Sequence, residues 1–131
     1  MIVVDASALI AILLGEAEAA TFVSILSRPE DSCIAAPTLL EIMIVAISKK
    51  EAVGVDDVHQ LLADFGIAVV PWTPGMANLA TETFRRFGRG RHKAALNFGD
   101  CISYALAKSL DAPLLYKGND FALTDLRAAA I

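Results

Sequence analysis

The sequence predicts an α/β fold in which a mostly parallel sheet of four to five strands is covered by helices on both faces. Three observations predict it. Short apolar runs stand far apart along the chain, at Ile2-Val3-Val4, residues 33–35, residues 68–70 and residues 113–116. Between them lie longer stretches with helical spacing, and strands alternating with helices make parallel sheets. The first run is β-branched and unbroken by polar residues, the pattern of a strand buried on both faces.

Taken in order, the first strand ends at Asp5. Ser7 is placed to cap a helix running to about Leu14, with Gly15 just past its end. A second helix fits Glu16 to about Leu26, and the turn Arg28-Pro29-Glu30-Asp31 leads to the strand at Cys33–Ala35. Pro37 and Thr38 open a helix to about Lys50. Leu39, Leu40, Ile42, Met43, Ile44, Val45 and Ile47 go nearly all the way round it, which predicts a central, enclosed helix. Val55 to Phe65 is helical, with Asp56 and Asp57 in its first turn. A strand at Ala68–Val70 and a helix from Pro74 to about Phe87 follow. A basic, glycine-punctuated loop then precedes an amphipathic helix carrying Phe98, Cys101, Ile102, Ala105, Leu106 and Leu110. The strand at Pro113–Tyr116 ends in a Gly118-Asn119 turn, and the last residues suggest a weak edge strand. No repeat, low-complexity tract or domain-scale linker breaks residues 1–131, which read as one domain.

Composition narrows the function. At 13.9 kDa, area scaling gives roughly 20,000 Å² unfolded and about 6,700 Å² folded, so a core forms without staples. Hydrophobic residues make up 56% of the chain, which excludes a disordered or flat polar module. Cys33 and Cys101 lie far apart and read as buried thiols of a reducing compartment. No apolar run reaches the ~18 residues of a membrane span. The amino terminus has Asp5 where a signal peptide has basic residues, so a cytoplasmic protein is expected. The net charge of -4 argues against strong non-specific DNA binding but permits a local basic patch.

Four acids stand out by position. Asp5 ends the first strand, and Glu41 is the only acid in the apolar helix after the second. Asp100 begins the helix leading into the fourth strand, and Asp120 follows that strand. Ligands of an open parallel sheet bind at the carboxyl ends of its strands, where all four acids are able to converge. Each also has a structural explanation. Asp5 or Ser7 caps the first helix, Thr38-x-x-Glu41 and Asn97-x-x-Asp100 resemble capping boxes, and Asn119-Asp120 is ordinary turn chemistry. Jointly these explanations weaken, because Glu41 has nearly continuous apolar neighbours and a lone buried carboxylate is costly. A hard divalent cation relieves the repulsion of clustered carboxylates, lowers the pKa of an attacking water and neutralises phosphate charge. No P-loop, GxGxxG, zinc-ligand spacing or GxSxG elbow offers a competing site.

Arg85, Arg86, Arg89, Arg91 and Lys93 form a basic strip with no acid among them, running straight towards Asp100. It reads either as a solvated helix end or as a phosphate-contacting strip for a substrate backbone. Tyr104, one turn past Asp100, is a candidate for stacking on an unpaired base or a core residue.

Four segments in order, MIVVDASALIAILLGE, TLLEIMIV, GRGRHKAALNFGDCISYALAK and PLLYKGNDFALTDL, resemble the VapC-type toxins of the PIN-domain superfamily, over essentially the whole chain. The resemblance implies a three-layer α/β/α sandwich and a homodimer. It implies the toxin of a type II toxin-antitoxin system, an endoribonuclease dependent on Mg2+, with Mn2+ as a substitute, and inhibited by a cognate VapB-type antitoxin. DNA would be met only indirectly, through that antitoxin. By motif match, Asp5 and Asp100 are the metal ligands, Glu41 completes the acidic centre, and Ser7 and Asn97 support it. Many PIN domains carry an Asp two residues before the position of Asp120. This chain has Gly118 there, so Asp120 stands as the candidate fourth carboxylate. The antitoxin footprint is expected in a groove beside the acids, lined by helices 7–14, 16–26 and 38–50, with Leu9, Leu13 and Phe22 as wall residues. Two other readings differ in class. One is a phosphatase with Asp5 as nucleophile, which Ser7 disfavours because such enzymes carry a second Asp there. The other is a non-catalytic module whose acids hold a cation structurally.

Overall fold

The computed structural model describes residues 1–49 and 54–130. Its sheet contains β1 (Ile2–Val4), β2 (Ser32–Ala35), β3 (Ala68–Val70) and β4 (Leu114–Leu115). Every pairing is parallel, and the spatial order is β3-β2-β1-β4. Six helices connect them: α1 (Ala6–Leu13), α2 (Ala19–Leu26), α3 (Ala36–Ser48), α4 (Val55–Phe65), α5 (Pro74–Phe87) and α6 (Phe98–Ser109).

Side chains alternate across a strand, and β1 shows what that alternation builds. Ile2 and Val4 join a core with α1, α2, α3 and α4, while Val3 joins a second core with α5 and α6. Both faces of the strand are buried, which is why its sequence is apolar without a break. The result is the three-layer sandwich. The chain moves outward from β1 through β2 to β3, then returns to place β4 on the other side of β1. The order of strands therefore reverses at β1, and the crevice at a topological switch point is where open parallel sheets bind ligands.

Several local readings change. Asp5, not Ser7, caps α1: its backbone is extended and its side chain accepts the Ser7 N–H, so the helix starts one residue after the strand. Likewise α3 starts at Ala36 with no side-chain cap, and Thr38 and Glu41 form no capping box. The final segment forms a single bridge, Leu114 to Ala128, rather than a fifth strand. The expected end of α3 at Lys50 lies outside the described residues.

The largest correction concerns α3. Ile42 and Ala46 are buried, but Leu40 is 61% exposed and Ile44 and Ile47 are each 55% exposed. The helix is an outer layer and not an enclosed one. Residues 40, 44 and 47 share one helical face, so the all-round apolar pattern adds an uncovered stripe to an ordinary core face. Among the described residues no helix is long and apolar enough to cross a membrane.

Burial separates two leucines of similar chemistry. Leu106 is fully enclosed in the α6 core, so Leu106→Ala is expected to lower the unfolding free energy by about 2–5 kcal/mol. Leu40→Ala should stay within about 0.5 kcal/mol of the parent. Urea denaturation of both variants measures this, and a large loss at Leu40 would return α3 to the interior.

Candidate active site

The acids converge where the sheet order reverses. Asp5 follows β1 directly and is buried, and both of its oxygens are occupied. The Ser7 hydroxyl donates to Oδ2 at 2.6 Å, and the Ser103 hydroxyl donates to Oδ1 at 2.5 Å. Ser7 in turn accepts the Lys117 N–H at 3.0 Å, which ties the segment after β4 to α1. Lys117 Nζ bridges Glu16 at 2.9 Å and Glu18 at 3.5 Å.

Asp100 sits in the first turn of α6 within a capping box. Its N–H donates to Asn97 Oδ1 at 2.9 Å, and the Asn97 N–H donates to Asp100 Oδ2 at 3.0 Å. The cap explains the orientation of Asp100, and its electrostatics go beyond a cap. Burial pushes the carboxyl up to about 6, and Asp5 and Asp120 push the same way. The hydrogen bond from Asn97 and the charge of Arg89 oppose that rise without cancelling it. Glu41 reaches in from α3, with its carboxyl pushed up to about 7, first by burial and then by Asp5 and Asp100. Three elements thus bring carboxylates into one another's field, which is the perturbed, mutually coupled pattern of a functional site.

Asp120 is exposed at the start of a short 3-10 helix, Phe121–Leu123, and makes no side-chain cap there. Its charge acts on Asp100. Gly118 has a φ of +95°, a conformation that an aspartate adopts only under strain, so the acid of this segment stands two residues later.

Among the described residues, no three Asp, Glu, His or Cys side chains lie close enough to form a ready-made metal cage. Mg2+ takes one or two carboxylates and keeps several waters, so it does not need such a cage. The donor set is all hard oxygen. Glu41 makes no hydrogen bond among those found in the described residues, so its carboxylate is free to take a ligand. Asp5 and Asp100, with Glu41 facing them, offer oxygen donors of the kind such an ion takes one or two of.

The basic strip divides on inspection. Arg86 pairs with Asp125 at 3.4 Å and lies 4.6 Å over the Phe87 ring, and Arg85 pairs with Glu82 at 3.2 Å. Arg89, Arg91 and Lys93 are exposed on the loop before α6. Backbone bonds between Arg89 and Leu96 and between Leu96 and Phe87 close that loop, and buried Ala94 and Leu96 anchor it. Arg85 and Arg91 also line an apolar cavity of about 750 Å³ between α5 and α6, beside Trp72, Phe84 and Phe98. Phe98 itself is 82% exposed.

Burial decides between the two readings of Tyr104 and removes two of the expected groove walls. Tyr104 is buried, and its hydroxyl donates to Asp125 Oδ1 at 2.5 Å, so it is a core residue with no face for a base. Leu9 and Phe22 are buried in the core, so they present no wall to a partner. A shallow concavity between α1 and α3 is lined by Ile10, Leu13, Leu14 and Val45. Sequence reading missed Ser103 and Lys117. Ser103 was within reach of it, since a residue three positions after Asp100 on a helix shares its face.

The chain belongs to the PIN domain family, whose model matches residues 2–126. Among its relatives are two proteins of Mycobacterium tuberculosis. Ribonuclease VapC28 is 41% identical over 97% of this chain and 96% of its own length. Ribonuclease VapC36 is 40% identical over 95% and 90%. Ribonuclease VapC of Mycolicibacterium smegmatis is 39% identical over 96% and 98%. Among solved structures, the fold matches Mycobacterium tuberculosis VapC20, a sarcin-ricin loop cleaving toxin, with a TM-score of 0.74 at 18% identity, covering 97% of this chain and 99% of that one. A toxin-antitoxin complex from Klebsiella pneumoniae matches with a TM-score of 0.71 at 19% identity, over 93% and 91% of the two chains. The chain is thus a VapC-type member of the family by sequence, and its fold is theirs.

The raised carboxyls carry a stability consequence. A group whose folded pKa exceeds its unfolded value adds stability in full below the unfolded value, and that stability is lost as pH rises through the folded one. For Glu41 the window runs from its ordinary value of 4.5 to about 7. In chelator, Glu41→Gln should therefore gain stability relative to the parent between about pH 5 and pH 8. The expected gain is about 1–2 kcal/mol once solvent screening is allowed for. Denaturation midpoints of both proteins across that range measure it, and a constant difference would remove the strain from Glu41.

Proposed function

We propose that this chain is the toxin of a type II toxin-antitoxin pair, an endoribonuclease that hydrolyses RNA phosphodiester bonds with Mg2+, or Mn2+ in its place. The observation that carries the reading is the convergence of Asp5, Glu41 and Asp100 from three elements at the switch point, with Glu41 and Asp100 both pushed up in pKa. The names of the sequence relatives support RNA as the substrate.

When bound, Mg2+ supplies positive charge to the phosphate and lowers the pKa of a water molecule at the site. Everything else falls to the chain. Ser7 and Ser103 hold the Asp5 carboxylate in one orientation, and Asn97 does the same for Asp100. Glu41, whose carboxylate makes no hydrogen bond among the described residues, accepts the proton of the attacking water as its oxygen bonds to phosphorus, and the leaving oxygen departs with a proton from solvent. Arg89, Arg91 and Lys93 carry the phosphates on either side, a role supported by the position of their loop immediately before α6.

The antitoxin and a second copy of the chain are the proposed protein partners, with DNA reached only through the antitoxin and the cytoplasm as the compartment. The uncovered apolar residues support a partnered surface, namely Leu40, Ile44 and Ile47 on α3 and Phe84 and Phe98 beside the α5–α6 cavity. The phosphatase reading loses its support at Ser7, whose hydroxyl is spent on holding Asp5 in place.

Purified protein free of antitoxin, incubated with total cellular RNA, should cut it with Mg2+ and not with chelator. Asp5→Ala and Asp100→Ala should each lower the rate about a thousandfold, or about 4 kcal/mol of transition-state stabilisation, while remaining folded. RNA left intact at every Mg2+ concentration would favour a non-catalytic module. Near-parental rates in either variant would take that residue out of the centre.

A further inference from the structure

The geometry points to Gly99 as a positioning residue for Glu41, an inference that rests on reading the acidic centre as a metal site. Gly99 lies in the first turn of α6, between Phe98 and Asp100. Its backbone is not the reason for a glycine, because it is absent from the positive-φ residues. Helix propensity opposes a glycine there as well. What the residue supplies is space.

A Cβ built on Gly99 would stand 2.7 Å from Glu41 Oε1, 2.9 Å from Oε2 and 3.0 Å from Cδ. Its three nearest neighbours therefore all belong to one carboxyl group, which lies against the bare helix turn. A side chain at 99 forces that carboxyl to shift from its place against the helix turn. The helix backbone is held by the Asn97–Asp100 cap, whereas the glutamate is flexible, so Glu41 is the partner that gives way. Gly99 makes no contact with a reacting atom in this account and acts through Glu41 alone.

The prediction has opposite signs for stability and for the site. Gly99→Ala keeps or raises the melting temperature in chelator, since alanine is the better helix former and no backbone strain is added. The same change weakens Mn2+ binding about tenfold or more, the usual cost of disturbing a group that orients a metal site. Because the effect passes through Glu41, the double variant Gly99→Ala with Glu41→Gln should bind no more weakly than Glu41→Gln alone.

The experiment is calorimetric titration of Mn2+ into the parent, both single variants and the double, with melting curves of each in chelator. Parental affinity in Gly99→Ala overturns the inference, as do losses that multiply in the double. If the parent itself binds no Mn2+, the metal-site reading fails first and takes this inference with it, a result visible before any variant is compared. Should Gly99→Ala not fold, the double variant Gly99→Ala with Glu41→Ala decides. Recovery of the fold assigns the conflict to the Glu41 carboxyl, and continued unfolding overturns the assignment.

Discussion

A carboxylate buried at the end of a strand is costly unless its oxygens are hydrogen-bonded, and at Asp5 both are. One partner is Ser7, two residues along the same chain. The other is Ser103, on a helix from the opposite side of the sheet. Through Ser7 the Lys117 backbone is fixed too, so a single carboxylate joins β1, α1, α6 and the segment after β4. Those elements frame the switch point. That anchor fixes the Asp5 carboxylate, while Asp100 is oriented by its own cap with Asn97.

The anchor sets up a tension that the fold does not resolve. Glu41 and Asp100 enter the field of Asp5, and among the described residues no cation fully offsets it. Lys117 is committed to Glu16 and Glu18, and Arg89 only moderates Asp100. Burial and like charge therefore hold two carboxyls well above their ordinary values. Chains are not expected to carry such strain for stability alone, and clustered carboxylates that need a counter-charge are a standard way to make one available to a substrate phosphate. The basic loop beside the centre gives the same substrate a complementary approach.

Much of this was legible before the structure. The unbroken β-branched run at residues 2–4 implied a doubly covered sheet, because no exposed strand would be apolar on both faces. Placing acids at strand ends implied convergence, because a parallel sheet presents those ends together. Other features resisted reading for physical reasons. On α3, hydropathy cannot tell a face buried in the core from one left for a partner, so Leu40, Ile44 and Ile47 pointed wrongly to an enclosed helix. Tyr104 and Phe98 sit close in sequence, yet one is buried against Asp125 and the other stands in solvent, a difference set by how α6 packs against α5. The glycine at 99 carried no visible message, since its meaning lies in a glutamate far away along the chain.

The central claim is that the acids repel one another and that a cation relieves them. Carbon-13 NMR of the Glu41 side-chain carboxyl, titrated with and without Mg2+, tests it at the atom concerned. The account predicts a midpoint near 7 in chelator, from burial and the neighbouring acids, and a midpoint lower by about one pH unit or more when Mg2+ is present. A Glu41 carboxyl that titrates near its ordinary 4.5 and ignores Mg2+ would contradict it.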